Sequence, residues 1–133
     1  MAYVTCVKTV YNESPYTIFV DNGEDTSRNF QLVPTENKWL NWGIPWIGRE
    51  DESYKRLKFT STQPFSKALC IYQDYWKPAD ANEVKYTWME DFSYEKANGR
   101  AIGGDPDGGG NRNMIIKVDP MYGTLSVSLV RVP

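Results

Sequence analysis

The sequence predicts an all-β fold, a single-domain antiparallel β-sandwich of about eight or nine short strands over residues 1–133, with a barrel as the alternative. Three observations predict it. No stretch of useful length repeats its apolar residues at helical spacing. Alternation of period two recurs from end to end, and turn-forming clusters divide the chain about every dozen residues. No internal repeat marks a trefoil, propeller or solenoid.

The first strand runs from Tyr3 to Tyr11, with Val4, Cys6, Lys8 and Val10 on one face and Tyr3, Thr5, Val7, Thr9 and Tyr11 on the other. Asn12-Glu13-Ser14-Pro15 ends it as a turn, after which Tyr16 to Val20 can fold back on it as a hairpin. Asp21-Asn22-Gly23-Glu24-Asp25 is the next turn. Asn29 to Val33, Lys38 to Trp42, Leu57 to Thr60, Ala68 to Trp76, Glu83 to Trp88 and Met114 to Val118 are further strand candidates. Thr124 to Val132 has the cleanest pattern: Leu125, Val127 and Leu129 alternate with Thr124, Ser126, Ser128 and Val130, so one face belongs in the core. The glycine-rich stretch from Gly103 to Asn113 is too short for an interdomain linker and reads as a long loop within the domain.

A chain of 133 residues buries roughly two-thirds of the surface its unfolded form exposes, enough for one core. The aromatic content of 14%, with five Trp and nine Tyr, exceeds what that core needs, so some rings are expected to face water. The net charge of −2 argues against a nucleic-acid partner, because phosphate binding needs a concentrated basic field, and it disfavours anionic membranes for the same reason. No apolar run approaches the ~20 residues that span a bilayer. The start, Met1-Ala2-Tyr3-Val4, reads as leaderless, from which cytoplasmic residence is expected unless a signal has been removed for secretion. Cys6 and Cys70 read as two buried thiols; a disulfide would require their strands to be neighbours.

The chain contains no His, which removes Ser-His-Asp and Cys-His catalysis and the commonest transition-metal ligand. A carboxylate pair of the glycosidase kind remains, and Glu50-Asp51-Glu52 and Glu90-Asp91 are the visible clusters. Three adjacent acids read better as a solvated turn than as a catalytic pair. The glycine run is followed by Asn111-Arg112-Asn113 and a strand, not by the Lys and helix of a phosphate loop. Asp105, Asp107, Asn111 and Asn113 offer oxygen ligands for calcium around flexible glycines, but the EF-hand pattern fails, with Ile116 standing where a bidentate Glu is required. No cofactor is expected beyond that calcium possibility.

The densest cluster is Trp39-Leu40-Asn41-Trp42-Gly43-Ile44-Pro45-Trp46-Ile47. Alternation puts Trp39 and Asn41 on one face and Leu40 and Trp42 on the other, before Gly43 and Pro45 break the strand. A partly exposed indole offers a flat apolar face and one N–H donor, suited to a sugar ring or a membrane interface. In Tyr72-Gln73-Asp74-Tyr75-Trp76, Asp74 can hold hydroxyls while Tyr75 and Trp76 form a stacking wall. In layout the chain is similar to fungal and bacterial cytoplasmic lectins and to aegerolysin-type lipid-binding proteins, which are small, acidic, His-poor β-sandwiches with excess Trp and Tyr.

The expected function is non-enzymatic, lectin-like carbohydrate binding on an aromatic-rich loop surface. Trp42, Trp46, Tyr75 and Trp76 are the stacking candidates, and Asp74, Asp105, Asp107, Asn111 and Arg112 the polar ones. Two alternatives stand beside it. One is a membrane- or lipid-binding, pore-forming toxin-like module that inserts Trp-Gly-Ile-Pro-Trp-Ile. The other is a structural protein whose aromatic surface forms a homo-oligomer interface.

Overall fold

Each of the nine expected runs holds a strand in the computed structural model, which describes residues 5–62, 68–74, 76, 82–119 and 123–132. In chain order they are β1 (Thr5–Asn12), β2 (Ile18–Asn22), β3 (Phe30–Leu32), β4 (Asn37–Gly43), β5 (Leu57–Ser61), β6 (Leu69–Gln73), β7 (Val84–Trp88), β8 (Arg100–Ala101), β9 (Gly103–Gly104), β10 (Gly110–Val118) and β11 (Leu125–Val132). The two-residue β8 and β9 have no signal of their own; β9 and the first residues of β10 lie in the stretch read as loop, and β8 just before it. Two short 3₁₀ turns, Thr26–Arg28 and Glu50–Lys55, complete the described elements. None of the described helices is long and apolar enough to cross a membrane.

Two sheets pack face to face as an open sandwich, not a closed barrel. The first has the order β4-β1-β10-β11-β9 and the second β3-β2-β5-β6-β7-β8. Pairing is antiparallel except for β1 with β10 and β9 with β11, which run parallel. The β1–β2 hairpin does not form, because the two strands belong to different sheets. The cause is a corner built on Asn12. Its buried amide donates to the carbonyls of Tyr16, Leu32 and Val33, while its Oδ1 accepts from the Ser14 amide and hydroxyl. These bonds bind the chain across to β3 before β2 begins, so the strand is redirected into the opposite layer.

The core lies between the layers. Val7, Val10, Leu40, Trp42, Met114, Ile116, Leu125, Val127 and Leu129 come from the first sheet, and Ile18, Val20, Leu57, Phe59, Leu69 and Ile71 are among those from the second. Strand β11 buries Leu125, Val127 and Leu129 as its alternation predicts. Strand β1 departs from strict alternation: Thr5, Val7, Val10 and Asn12 are buried. Pairing shifts between Val7 and Thr9, where Lys8 is an extra residue against β10 and where β4 opposes it with Leu40 and Asn41. This bulge flips the inward face mid-strand. Asn41 takes a left-handed backbone (φ 60°) there, and its Oδ1 accepts from Lys8 Nζ and Cys6 Sγ.

Strand β6 is buried on both faces. Its outer side carries Tyr72, against which Phe92, Tyr94 and Ile47 pack from the segments after β7 and β4. That double burial accounts for the unbroken apolar run Leu69-Cys70-Ile71-Tyr72. Cys6 and Cys70 sit in different sheets and are free thiols. Burial pushes the Cys70 thiol up to about 11.

Candidate functional site

The residues expected to bind are mostly taken up by the fold. Trp42 is 4% exposed, because the alternation of β4 turns it into the core with Leu40, and it displays no open stacking face. Trp46 is half-buried, and its segment is pinned to β6 through Gln73 N to Pro45 O (2.7 Å) and Ile47 N to Gln73 O (2.9 Å). Ile44 and Ile47 are buried too, so the Trp-Gly-Ile-Pro-Trp-Ile segment presents no isoleucine for insertion into lipid. Tyr75 lies outside the described residues. Trp76 is 58% exposed and covers Gly48, where a Cβ would stand 2.6 Å from the indole Cδ1.

Asp74 is fully buried, and its bonds are internal. Lys85 Nζ reaches Oδ2 at 3.2 Å, while the Tyr94 hydroxyl (2.8 Å) and the Trp76 amide (2.9 Å) donate to Oδ1. A carboxylate held in this way supports the fold and is withdrawn from any surface ligand, so the hydroxyl-holding role expected of it is corrected. Burial is the first cause that raises the phenol pKa of both Tyr72 and Tyr94, and the Asp74 charge adds to it. Unfolded phenols ionise near pH 10, so above about pH 10 the unfolded chain releases protons that the folded one keeps. The contribution of these groups to stability is therefore complete below that pH and declines as pH rises past it. In an alkaline titration followed by tyrosinate absorbance, these two phenols should ionise only as circular dichroism reports unfolding. Ionisation of every tyrosine with the β signal intact would contradict the buried network.

The glycine stretch is a clamped corner. Strand β10 begins at Gly110, four residues earlier than its apolar run, which puts Arg112 on the inward row with Met114 and Ile116. Its guanidinium, wholly buried, donates to the carbonyls of Asp105 (3.4 Å), Asn111 (3.2 Å) and Asp107, and lies 3.6 Å from the Asp105 carboxylate. Burial works against that charge and Asp105 works for it. Arg112 is thus a structural clamp and not a hydroxyl donor at the surface. Asp105 also takes Arg131 at 2.8 Å, the main cause that holds its carboxyl below the usual range. With a guanidinium on each Asp105 oxygen, the donor set of Asp105, Asp107, Asn111 and Asn113 does not fit calcium. Among the described residues no cluster of three or more acidic or Cys side chains could hold a metal.

The acidic clusters tie loops together. Glu50 accepts from the Ser93 hydroxyl and the Glu95 amide, Glu52 from the Gly48 amide and Lys55, and Glu90 from the Ala68 amide.

The open surface lies elsewhere, at a seam between the sheets. Strand β4 is an edge of one sheet and β3 an edge of the other, and the short turn joining them leaves the two edges side by side but unpaired with each other. A hollow of about 290 Å³ sits there, lined by Ser27, Arg28 and Asn29 before β3 and by Lys38, Trp39, Leu40 and Trp42 of β4. Trp39 is 65% exposed, the outward partner of buried Leu40 and Trp42 in the alternation. The buried Trp42 lies beneath the hollow and meets Phe30 edge-on at 5.4 Å. Arg28 lies over the Trp42 ring at 5.2 Å and Lys38 over Phe30 at 5.0 Å. At Asn29 the hollow adjoins a second one of about 550 Å³ on the outer face of β2, β3 and β5, lined by Phe19, Asp21, Gln31, Lys58 and Thr60 among others.

Alternation set Trp39 on the face opposite Leu40 and Trp42 without saying which face meets water, and the binding role was given to its neighbours. Nothing in sequence marks Ser27, Arg28 and Asn29 as its companions, since the β3–β4 turn brings them together. The chain matches no model of a known protein family, no curated protein and no solved structure.

Proposed function

We propose that this protein binds carbohydrate without transforming it, stacking a sugar ring on Trp39 in the seam between the two sheets. The observation that carries this reading is the exposed Trp39 indole, 65% accessible, at the wall of a hollow furnished with hydrogen-bonding groups from Ser27, Asn29, Arg28 and Lys38. An indole left in water forgoes burial worth roughly 25 cal/mol per Å², a stabilisation that a ligand covering it recovers. The ring offers the apolar face of a pyranose its counterpart, and the polar groups around it can fix hydroxyls. Among the described residues no Asp or Glu lines this hollow, which favours binding over glycoside cleavage by a carboxylate pair.

The experiment is a glycan array followed by titration of intrinsic Trp fluorescence with each sugar that binds. Trp39→Ala should abolish the response while leaving the thermal midpoint within a few degrees, because the side chain contributes little to the core. Trp42→Ala would confuse the two effects and is unsuitable. Failure to bind any glycan across a broad array, or retention of full affinity by Trp39→Ala, would overturn the proposal.

A further inference from the structure

The seam carries an excess of positive charge that its own carboxylates do not neutralise. Elsewhere several cations meet acids, Arg56 with Asp21 at 3.2 Å, Lys85 with Asp74 and Arg131 with Asp105, while Lys8, Lys96 and Arg100 stand apart from one another on other parts of the chain. Among the described residues, Arg28, Lys38 and Lys58 have no carboxylate within ion-pair reach. Arg28 and Lys38 rest instead on the faces of Trp42 and Phe30, which positions them and leaves their charge available. Asp21, which lines the larger hollow, is paired with Arg56, while Asp25 and Glu36 accept from neutral groups, the Ser27 amide and hydroxyl and the Val33 amide, and are not part of the lining of the smaller hollow. In a chain of net charge −2, a concave surface of this sign is a local exception set against the whole molecule's field.

We propose that the two adjoining hollows take an acidic glycan, an oligosaccharide bearing carboxylate or sulfate groups. One sugar stacks on Trp39 with its acid group toward Arg28 and Lys38, and the chain continues past Asn29, so that a second acid group reaches the hollow of Lys58. This rests on the carbohydrate reading above and adds the charge and the length of the ligand. Planar guanidinium groups suit carboxylate and sulfate oxygens, and the Lys side chains act as point charges. The acidic pI of the rest of the surface then repels polyanions that lack the matching sugar face.

The test compares tetragalacturonate, a heparin tetrasaccharide and neutral cellotetraose by calorimetric titration against the full chain. At least one acidic tetrasaccharide should bind at least tenfold more tightly than cellotetraose. Its affinity should fall severalfold between about 0.05 and about 0.5 M salt, a change that shortens the screening length roughly threefold. Arg28→Gln with Lys38→Gln should weaken it at least tenfold, with the thermal midpoint preserved at these two exposed positions, and Lys58→Gln, at a half-buried position, by a smaller factor. If cellotetraose binds as well as the acidic sugars and Trp39→Ala removes that binding, the acidic inference fails while the carbohydrate reading survives. If no sugar binds, charged or neutral, both fail. Binding of single-stranded RNA or of anionic vesicles with no sugar bound overturns the inference in favour of another polyanion. Unchanged affinity in the charge variants overturns it as well.

Discussion

Replacing Asp74 with Ala should destabilise the protein by roughly 3–5 kcal/mol, a large part of the roughly 5–15 kcal/mol that holds a domain of this size folded. The substitution leaves the Lys85 ammonium buried without its carboxylate and removes the acceptor of the Tyr94 hydroxyl and the Trp76 amide. The distinguishing experiment is a pair of variants in urea unfolding. Asp74→Asn combined with Lys85→Met keeps an oxygen for Tyr94 and Trp76 and removes both charges together. It should lie within about 1.5 kcal/mol of the parent, since a buried ion pair deleted as a unit costs far less than one deleted by half. If the single and the double variant are equally destabilised, the pair is not the element that matters. Tyr94 and Phe92 pack on Tyr72 from the segment after β7, so the single variant should also loosen that cover and speed amide exchange in β6.

Arg112→Ala should cost a similar amount, roughly 3–5 kcal/mol, for a different reason. One guanidinium spans three carbonyls and a carboxylate, and it occupies a site fully sealed from water at the end of the inward row of β10. Without it the corner around Gly108 and Gly109 loses its internal donors. Arg112→Lys should recover only part of the loss, because an ammonium cannot reproduce the fork of donors. Hydrogen exchange localises the effect. The Asp107 amide, which donates to Asp105 Oδ1, and the Gly109 amide, which donates to the Thr5 hydroxyl, should lose protection well before the strands do. Equal stability of the Lys and Arg proteins would show that charge alone, and not the shape of the guanidinium, holds the corner.

The same two residues show why the proposed binding surface was hard to read from sequence. Asp74 and Arg112 are polar residues near glycines and aromatic rings, the company a ligand site keeps, and both are internal. What sent Arg112 inward was its register with Met114 and Ile116, visible only once β10 is known to begin at Gly110. Asp74 is drawn in by Lys85, its partner across the β6–β7 pair. Ion pairs between residues eleven apart leave no mark in a local pattern, because adjacent acids and bases are common on any surface. Alternation separated Trp39 from Leu40 and Trp42, as β4 does, but the choice of Trp42 as the exposed ring was the wrong face. The hollow at Trp39 was not legible, since Ser27, Arg28 and Asn29 approach it only through the turn that sets the edges of two sheets side by side.

Local alternation by itself determined that this chain is built of strands, where nine of them lie, and which face of β11 is apolar, because a pleated strand repeats every two residues regardless of its partners. Only the tertiary structure decided how the strands pair. It separated β1 from β2, set β1 parallel to β10, and reversed the inward face of β1 at Lys8. Those outcomes depend on contacts between residues far apart in sequence, such as the Asn12 amide on the carbonyls of Leu32 and Val33, whose strength depends on being buried together. A hydrogen bond of that kind has no counterpart in the unfolded chain, and so no local trace in the order of the residues.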